Sequence, residues 1–221
     1  MIGRLVTLLA LSLALASCGN DPDAFTAARA FKSGVTERFK TARPAKSALP
    51  PRQITRADLS QILTPVQLVT IEKTGQQAVI ALVASNQGVE TWSSVDKVTV
   101  SFRNGVIVAT RGLGADLMSG NAPTGNALQG GSGRYGRARV VLDGLDQAIR
   151  TTYACATTRV SGETIEIVEI NYQTSHVKEV CTAPGSEFEN EYWIDGTQRI
   201  RKSRQWISTE VGYLVVQDVR P

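Results

Sequence analysis

One histidine and three cysteines are all that 221 residues offer among the side chains most used for nucleophilic and metal chemistry. A Ser-His-Asp or Cys-His mechanism would have to rest on His176, which sits between Ser175 and Val177 in a strand-like run with no second ligand at metal spacing. The cysteines, Cys18, Cys155 and Cys181, form neither a C-x-x-C motif nor a zinc pattern. No glycine run leads into Lys-[Ser/Thr] and a helix, which argues against a phosphate cradle. Gly130-Gly131-Ser132-Gly133-Arg134 lacks the last glycine of a G-x-S-x-G nucleophile elbow. A formal net charge of +4, spread along the chain, is too mild to suggest nucleic acid. Nor is there an apolar run of the roughly 18 to 20 residues that a spanning helix needs. These absences lead us to expect no metal, no cofactor, no nucleic-acid partner and no catalytic centre.

What is present begins with an address. Arg4 precedes an apolar run from Leu5 to Ala16, interrupted only by Thr7 and Ser12, as in a secretory signal. Leu15-Ala16-Ser17-Cys18 resembles a bacterial lipobox. That resemblance implies that residues 1–17 are a signal peptide and that Cys18 becomes a lipidated N-terminus whose two or three acyl chains hold the protein stably in a membrane. Gly19 and Asn20 lack the aspartate that resembles an inner-membrane retention signal, so the expected place is the outer membrane, facing the periplasm. An ordinary cleaved signal with an incidental Cys18 is the alternative. With Cys18 assigned to lipid, Cys155 and Cys181 remain in an export context that permits oxidation, and a disulfide between them is expected.

Residues 18–53 read as an anchored helix and a linker. Asp21-Pro22-Asp23 suits a helix start, and Phe25, Ala28, Phe31, Val35 and Phe39 fall on one stripe at helical spacing to about Lys40. Pro44, Pro50 and Pro51 then mark a semi-extended connector. Thr55 with Asp58 resembles a weak cap for a short helix over Arg56–Leu63, ahead of Pro65.

From residue 54 to 221 the pattern is that of strands. Val66–Glu72 and Gln77–Ala84 flank Lys73-Thr74-Gly75. Val98, Val100 and Phe102 alternate with polar residues up to Asn104-Gly105, the pair best suited to a type I′ turn, and Val106–Ala109 returns. Gly112–Gly136 carries eight glycines and is expected to be one mobile loop or flap. Runs over 137–142, 148–160, 163–172, 176–181, 188–194, 199–208 and 212–219 follow, with Ser161-Gly162 and Asp195-Gly196 as punctuation. The expected fold is mainly β, an antiparallel β-sandwich or open barrel with short N-terminal helices covering an edge or an end.

The stretch ETWSSVDKVTVSFRNGVIVATRGLGADLMSG and the later FENEYWIDGTQRIRKSRQWISTEVGYLVVQDVRP resemble the YjbF/GfcB family of lipoproteins associated with capsule and exopolysaccharide export. Thr91-Trp92 with Asp96, the Gly105 turn, Asp116-Leu117, the two late cysteines, Tyr192-Trp193 and Gln205-Trp206 carry the likeness from about residue 54 onward. It implies a lipid-anchored accessory or scaffold working beside an outer-membrane β-barrel and other export proteins, without a known catalytic centre. Candidate contacts for polysaccharide or a protein partner are Trp92, Asp96, Arg111, Asp116, Trp193, Arg201, Lys202, Arg204 and Trp206. Indoles can stack on sugar rings and basic groups can meet acidic ones, but tryptophan fills β cores equally well. Glu187, Glu189 and Glu191 fall on one strand face at about 6.6 Å per step. That spacing suits an inverting glycosidase, yet a solvated face is the simpler reading. A periplasmic glycan-binding or glycan-modifying protein is the alternative function.

Overall fold

The computed structural model describes residues 54–220 other than 61, 63, 124–126, 129, 143, 144 and 146. Cys18, the helix expected to Lys40 and the proline-rich connector lie outside them. One short helix, α1 (Arg56–Ser60), precedes twelve strands among the described residues. Its cap is reciprocal: the Thr55 amide and Oγ1 donate to Asp58 Oδ2 at 2.9 and 2.7 Å, and the Asp58 amide donates back to Thr55 Oγ1. The described helix covers Arg56–Ser60 of the expected Arg56–Leu63, with Ile62 outside helix, and it is the only N-terminal helix among the described residues.

The strands are β1 (Val66–Ile71), β2 (Gln76–Asn86), β3 (Val89–Ser93), β4 (Thr99–Arg103), β5 (Val106–Arg111), β6 (Leu117–Gly120), β7 (Ser132–Leu142), β8 (Ala148–Ile167), β9 (Ile170–Ala183), β10 (Ser186–Asp195), β11 (Ile200–Ser208) and β12 (Gly212–Arg220). They form one antiparallel sheet in the order β5-β4-β3-β2-β1-β12-β11-β10-β9-β8-β7-β6. Pairing of β1 with β12 joins two meanders, and the outermost strands, β5 and β6, are consecutive in the chain. Side chains bridge them: Arg111 donates to the Leu117 and Met118 carbonyls, and Thr110 Oγ1 accepts from the Leu117 amide. The sheet therefore curls into a nearly closed barrel, and of the two expected architectures the barrel is the one observed.

Asn104 and Gly105 have φ of 51° and 76°, the left-handed pair expected of the β4–β5 turn. A Cβ on Gly105 would lie 2.7 Å from Ile200 Cδ1, so this turn tip also needs glycine to pack. Two other expectations are corrected. Ser161-Gly162 is not a turn: β8 runs through it, with a register shift between Arg159 and Ser161, and the chain reverses at Val168-Glu169, with φ of 44° and 67°. The reversal is placed by packing and by Arg56, whose guanidinium donates to the carbonyls of Ile167, Val168 and Val219. Likewise Gly112–Gly136 is not one loop. It contains β6 and the start of β7, because small residues admit close approach there; a Cβ on Gly133 would lie 2.9 Å from Ala127 Cβ.

Alternation along the strands sends one set of side chains into the barrel, which is filled rather than hollow. Val69, Ile80, Trp92, Phe102, Ile107, Ile207 and Leu214 form the largest interior cluster. Val177, Tyr192 and Ile194 continue it against Val106 and Val108. A further core lies on the other face, where Leu59 of α1 and Ile165 and Ile167 of β8 cover Leu68, Trp193 and Val219.

Candidate functional site

Three charged side chains occupy positions where strand alternation calls for apolar ones. On β7, Tyr135, Arg137 and Arg139 share the phase of Val141; on β9, Glu179 lies between Val177 and Cys181 in the same phase. Arg137 and Glu179 are 1% and 0% exposed and pair at 2.9 Å. The Glu179 carboxylate also accepts from Tyr135 Oη at 2.7 Å, Asn190 Nδ2 at 2.7 Å and Tyr192 Oη at 3.0 Å. Burial, followed by the Glu179 charge, drives the Tyr135 and Tyr192 hydroxyls well above the ordinary tyrosine value, so both stay protonated donors. Burial opposes the charge on Arg137, but the adjacent carboxylate outweighs it and raises that pKa.

Beside this cluster Cys155 and Cys181 are disulfide-bonded across β8 and β9, with S–S 2.01 Å, as expected. Their sulfurs and a Glu179 oxygen lie within 4.8 Å of one another, but the sulfurs are committed to each other and the carboxylate to its donors. Arg139, 3% exposed, is different. Its Nη2 donates to the Trp206 and Ile207 carbonyls at 3.0 and 2.7 Å, and its guanidinium lies over the Phe188 and Trp206 rings at 5.1 and 4.8 Å. Burial and then Arg137 lower its pKa to about 9.

The outer face gathers four of the sequence candidates. Trp193 of β10 stacks on His176 at 4.7 Å, and Lys202 lies over its ring at 4.5 Å. Its indole donates to Glu163 at 2.9 Å, while His176 Nε2 meets Glu191 at 2.9 Å. Arg204 forms a two-pronged pair with Glu72 at 2.8 and 2.7 Å and sits over Tyr213. Arg201, a bulged residue of β11, bonds Asp195 at 2.6 Å and Asp218 at 3.3 Å and covers Tyr172. Burial works to raise the Asp195 pKa, but hydrogen bonds from Thr197, Arg201 and the Arg199 amide lower it to about 2. The result is an ordered belt of alternating aromatic and ionic groups across β9 to β12.

The other candidates are dispersed. Trp92 is core, at 3% exposure. Asp96 is exposed in the β3–β4 turn. Asp116 accepts from Thr110 Oγ1 and the Gly112 and Leu113 amides, and with Arg111 it fastens β5 to β6. Trp206 is half-buried and stacks on Phe188 at 5.0 Å. Glu187, Glu189 and Glu191 do share an outer strand face; Glu189 pairs with Lys178, and Glu191 with His176 and, at 3.8 Å, Arg204. Sequence reasoning missed Arg137, Arg139 and Glu179, although their phase among apolar neighbours was a readable signal.

Comparisons with known proteins agree with this architecture. A family model described as group 4 capsule polysaccharide lipoprotein gfcB, YjbF, matches residues 10–219. The fold is similar to the crystal structure of the hypothetical lipoprotein YmcC from Escherichia coli (K12), with TM-score 0.67 and 21% identity over 77% of this chain and 90% of that one. No curated protein matches the sequence.

Proposed function

The chain belongs to the YjbF/GfcB family of group 4 capsule polysaccharide lipoproteins, and from that premise we propose that it is a lipid-anchored accessory or scaffold for capsule or exopolysaccharide secretion. Cys18 carries the lipid, and the barrel faces the periplasm from the outer membrane beside an outer-membrane β-barrel and other export proteins. The observation that carries this reading, beyond the family, is a barrel whose interior is packed and cross-linked while its outer β9–β12 face holds an ordered set of ion pairs, with Arg204 over Tyr213 and Lys202 over the buried Trp193. A filled barrel cannot conduct a polymer, but a stiff patterned wall suits a partner protein. The three glutamates lie on one strand, and Glu189 and Glu191 are engaged by Lys178 and His176, which favours a non-enzymatic role.

The test is the distribution of polysaccharide in a strain lacking the gene. The proposal expects polymer synthesis to continue while surface and released polymer fall, with recovery on wild-type complementation. Unchanged surface and released polymer, under conditions where the wild-type protein is expressed, overturns the export role.

A further inference from the structure

β9 outruns one of its neighbours. Its ladder with β10 ends at Thr174 with Asp195, while β9 itself extends to Ile170, paired over that stretch with β8 alone. β10 turns away here through Gly196 towards β11. Both flanking ladders are irregular beside the turn, with register shifts between Arg159 and Ser161 on β8 and between Trp193 and Ile194 on β10. The parting leaves an open cavity of about 390 Å³ at the rim of the barrel. Bulges at a barrel's rim re-aim side chains, and barrel mouths are favoured places for small ligands, whose sites occupy roughly 300 to 1,000 Å³.

Arg159 continues the phase of Cys155 and Thr157, and Ser175 and Gln173 that of Val177, so the alternation that fills the interior ends here in hydrophilic side chains. Arg159 Nη1 donates to Ser175 Oγ at 2.6 Å. Ile194, 3% exposed, supplies an apolar patch. The β10–β11 turn is fixed by the Asp195 carboxylate, which accepts from the Thr197 amide and hydroxyl, the Arg199 amide and Arg201. Gln173 and Gln198 line the same space, and neither side-chain carboxamide has a hydrogen-bond partner among the described residues. Each offers a donor and an acceptor side by side on a wall that is already held in place.

These groups select a class of ligand. The lining holds one guanidinium and one carboxylate, so it carries no excess charge with which to hold an ion. A hydroxyl group is donor and acceptor at once, as a carboxamide is. We propose that this cavity binds a neutral sugar unit of the exported polysaccharide, with Gln173, Gln198 and Ser175 bonding its hydroxyl groups and Ile194 meeting its apolar face. The cavity stands on the geometry; that the sugar belongs to the exported polymer rests on the proposed export function.

The test is calorimetric titration of the full lipidated protein, in a detergent without a sugar headgroup, with oligosaccharides from partial acid hydrolysis of the polymer that the producing strain releases. The core oligosaccharide of the same strain's lipopolysaccharide and inorganic phosphate are titrated in parallel. Saturable binding of the polymer oligosaccharides is expected. It should weaken at least about tenfold in Gln173→Ala with Gln198→Gly, which loses two hydrogen-bonding groups while glycine accepts the φ of 67° at that position. Gly196→Trp should abolish it, since a Cβ there meets no atom within 4 Å and the indole is free to fill the opening. All three positions are exposed, and circular dichroism checks that the variants are folded; the glutamine variant decides alone if Gly196→Trp does not fold. No saturable binding, or undiminished binding by the folded glutamine variant, overturns the site. Tighter binding of phosphate overturns the sugar class, and tighter binding of the lipopolysaccharide core overturns the assignment to the exported polymer. Because these measurements use purified protein, their failure leaves the export role standing, and a normal polysaccharide distribution in the deletion strain overturns that role while leaving the cavity's sugar binding standing.

Discussion

Replacing Glu179 by leucine keeps an interior side chain of similar bulk while stripping Arg137 of its counter-ion. Arg137 is 1% exposed and pairs at 2.9 Å, so its charge cannot turn to water without opening the barrel. Breaking a buried pair from one side costs about 3–5 kcal/mol. Tyr135, Asn190 and Tyr192 lose their acceptor too, which places the expected loss at the upper end. For a domain of this size about 4 kcal/mol lowers Tm by about 10 °C. The assay is urea unfolding of the disulfide-intact, non-lipidated Cys18→Ala protein, followed by tryptophan fluorescence. Arg137→Met added to Glu179→Leu removes the stranded cation and should recover at least about 2 kcal/mol relative to additivity. A loss below about 1 kcal/mol in the single variant, or strict additivity in the pair, would refute the view that this cluster is a coupled, desolvated unit.

Three further outcomes follow from the same geometry. Tyr135 and Tyr192 hold their protons more tightly when folded, so stability is fully present below the ordinary tyrosine value of 10.0 and falls as pH rises past it; tyrosinate absorbance should show both ionising only with unfolding. Gly105→Ala places a side chain at φ 76° and 2.7 Å from Ile200 Cδ1, and should cost about 2 kcal/mol or more by urea unfolding. Cys155→Ala with Cys181→Ala opens a loop of separation 26, and should lose about 3 kcal/mol while retaining the barrel's circular dichroism at low temperature.

Much of the barrel was legible because period-two alternation is a direct consequence of one wet and one buried face. Asn104-Gly105 announced its turn because both residues tolerate positive φ. Val168-Glu169 announced nothing: a β-branched residue in the left-handed region is held there by Arg56 and by burial of Ile165 and Ile167, forces that come from distant parts of the chain. Gly162 misled for the opposite reason, since glycine also sits inside strands: it pairs regularly with Ser175, just beyond the register shift between Arg159 and Ser161. Of the candidate site, the sequence supplied Trp193, Arg201, Lys202 and Arg204, which β10 and β11 bring to one face. It could not show that Arg111 and Asp116 fasten β5 to β6, because that closure depends on which strands become the edges. Arg137, Arg139 and Glu179 were hidden by the habit of assigning charge to solvent, although their phase contradicted it.

The most direct test of the account is quantification of surface and released polysaccharide in the deletion strain carrying either Cys18→Ala or a chain with Glu187, Glu189 and Glu191 all changed to glutamine. An anchored, non-enzymatic accessory predicts that the glutamine chain restores export to wild-type level and that Cys18→Ala, expressed equally, does not. Full rescue by Cys18→Ala would contradict the anchor, and loss of export by a stably folded glutamine chain would contradict the absence of catalysis.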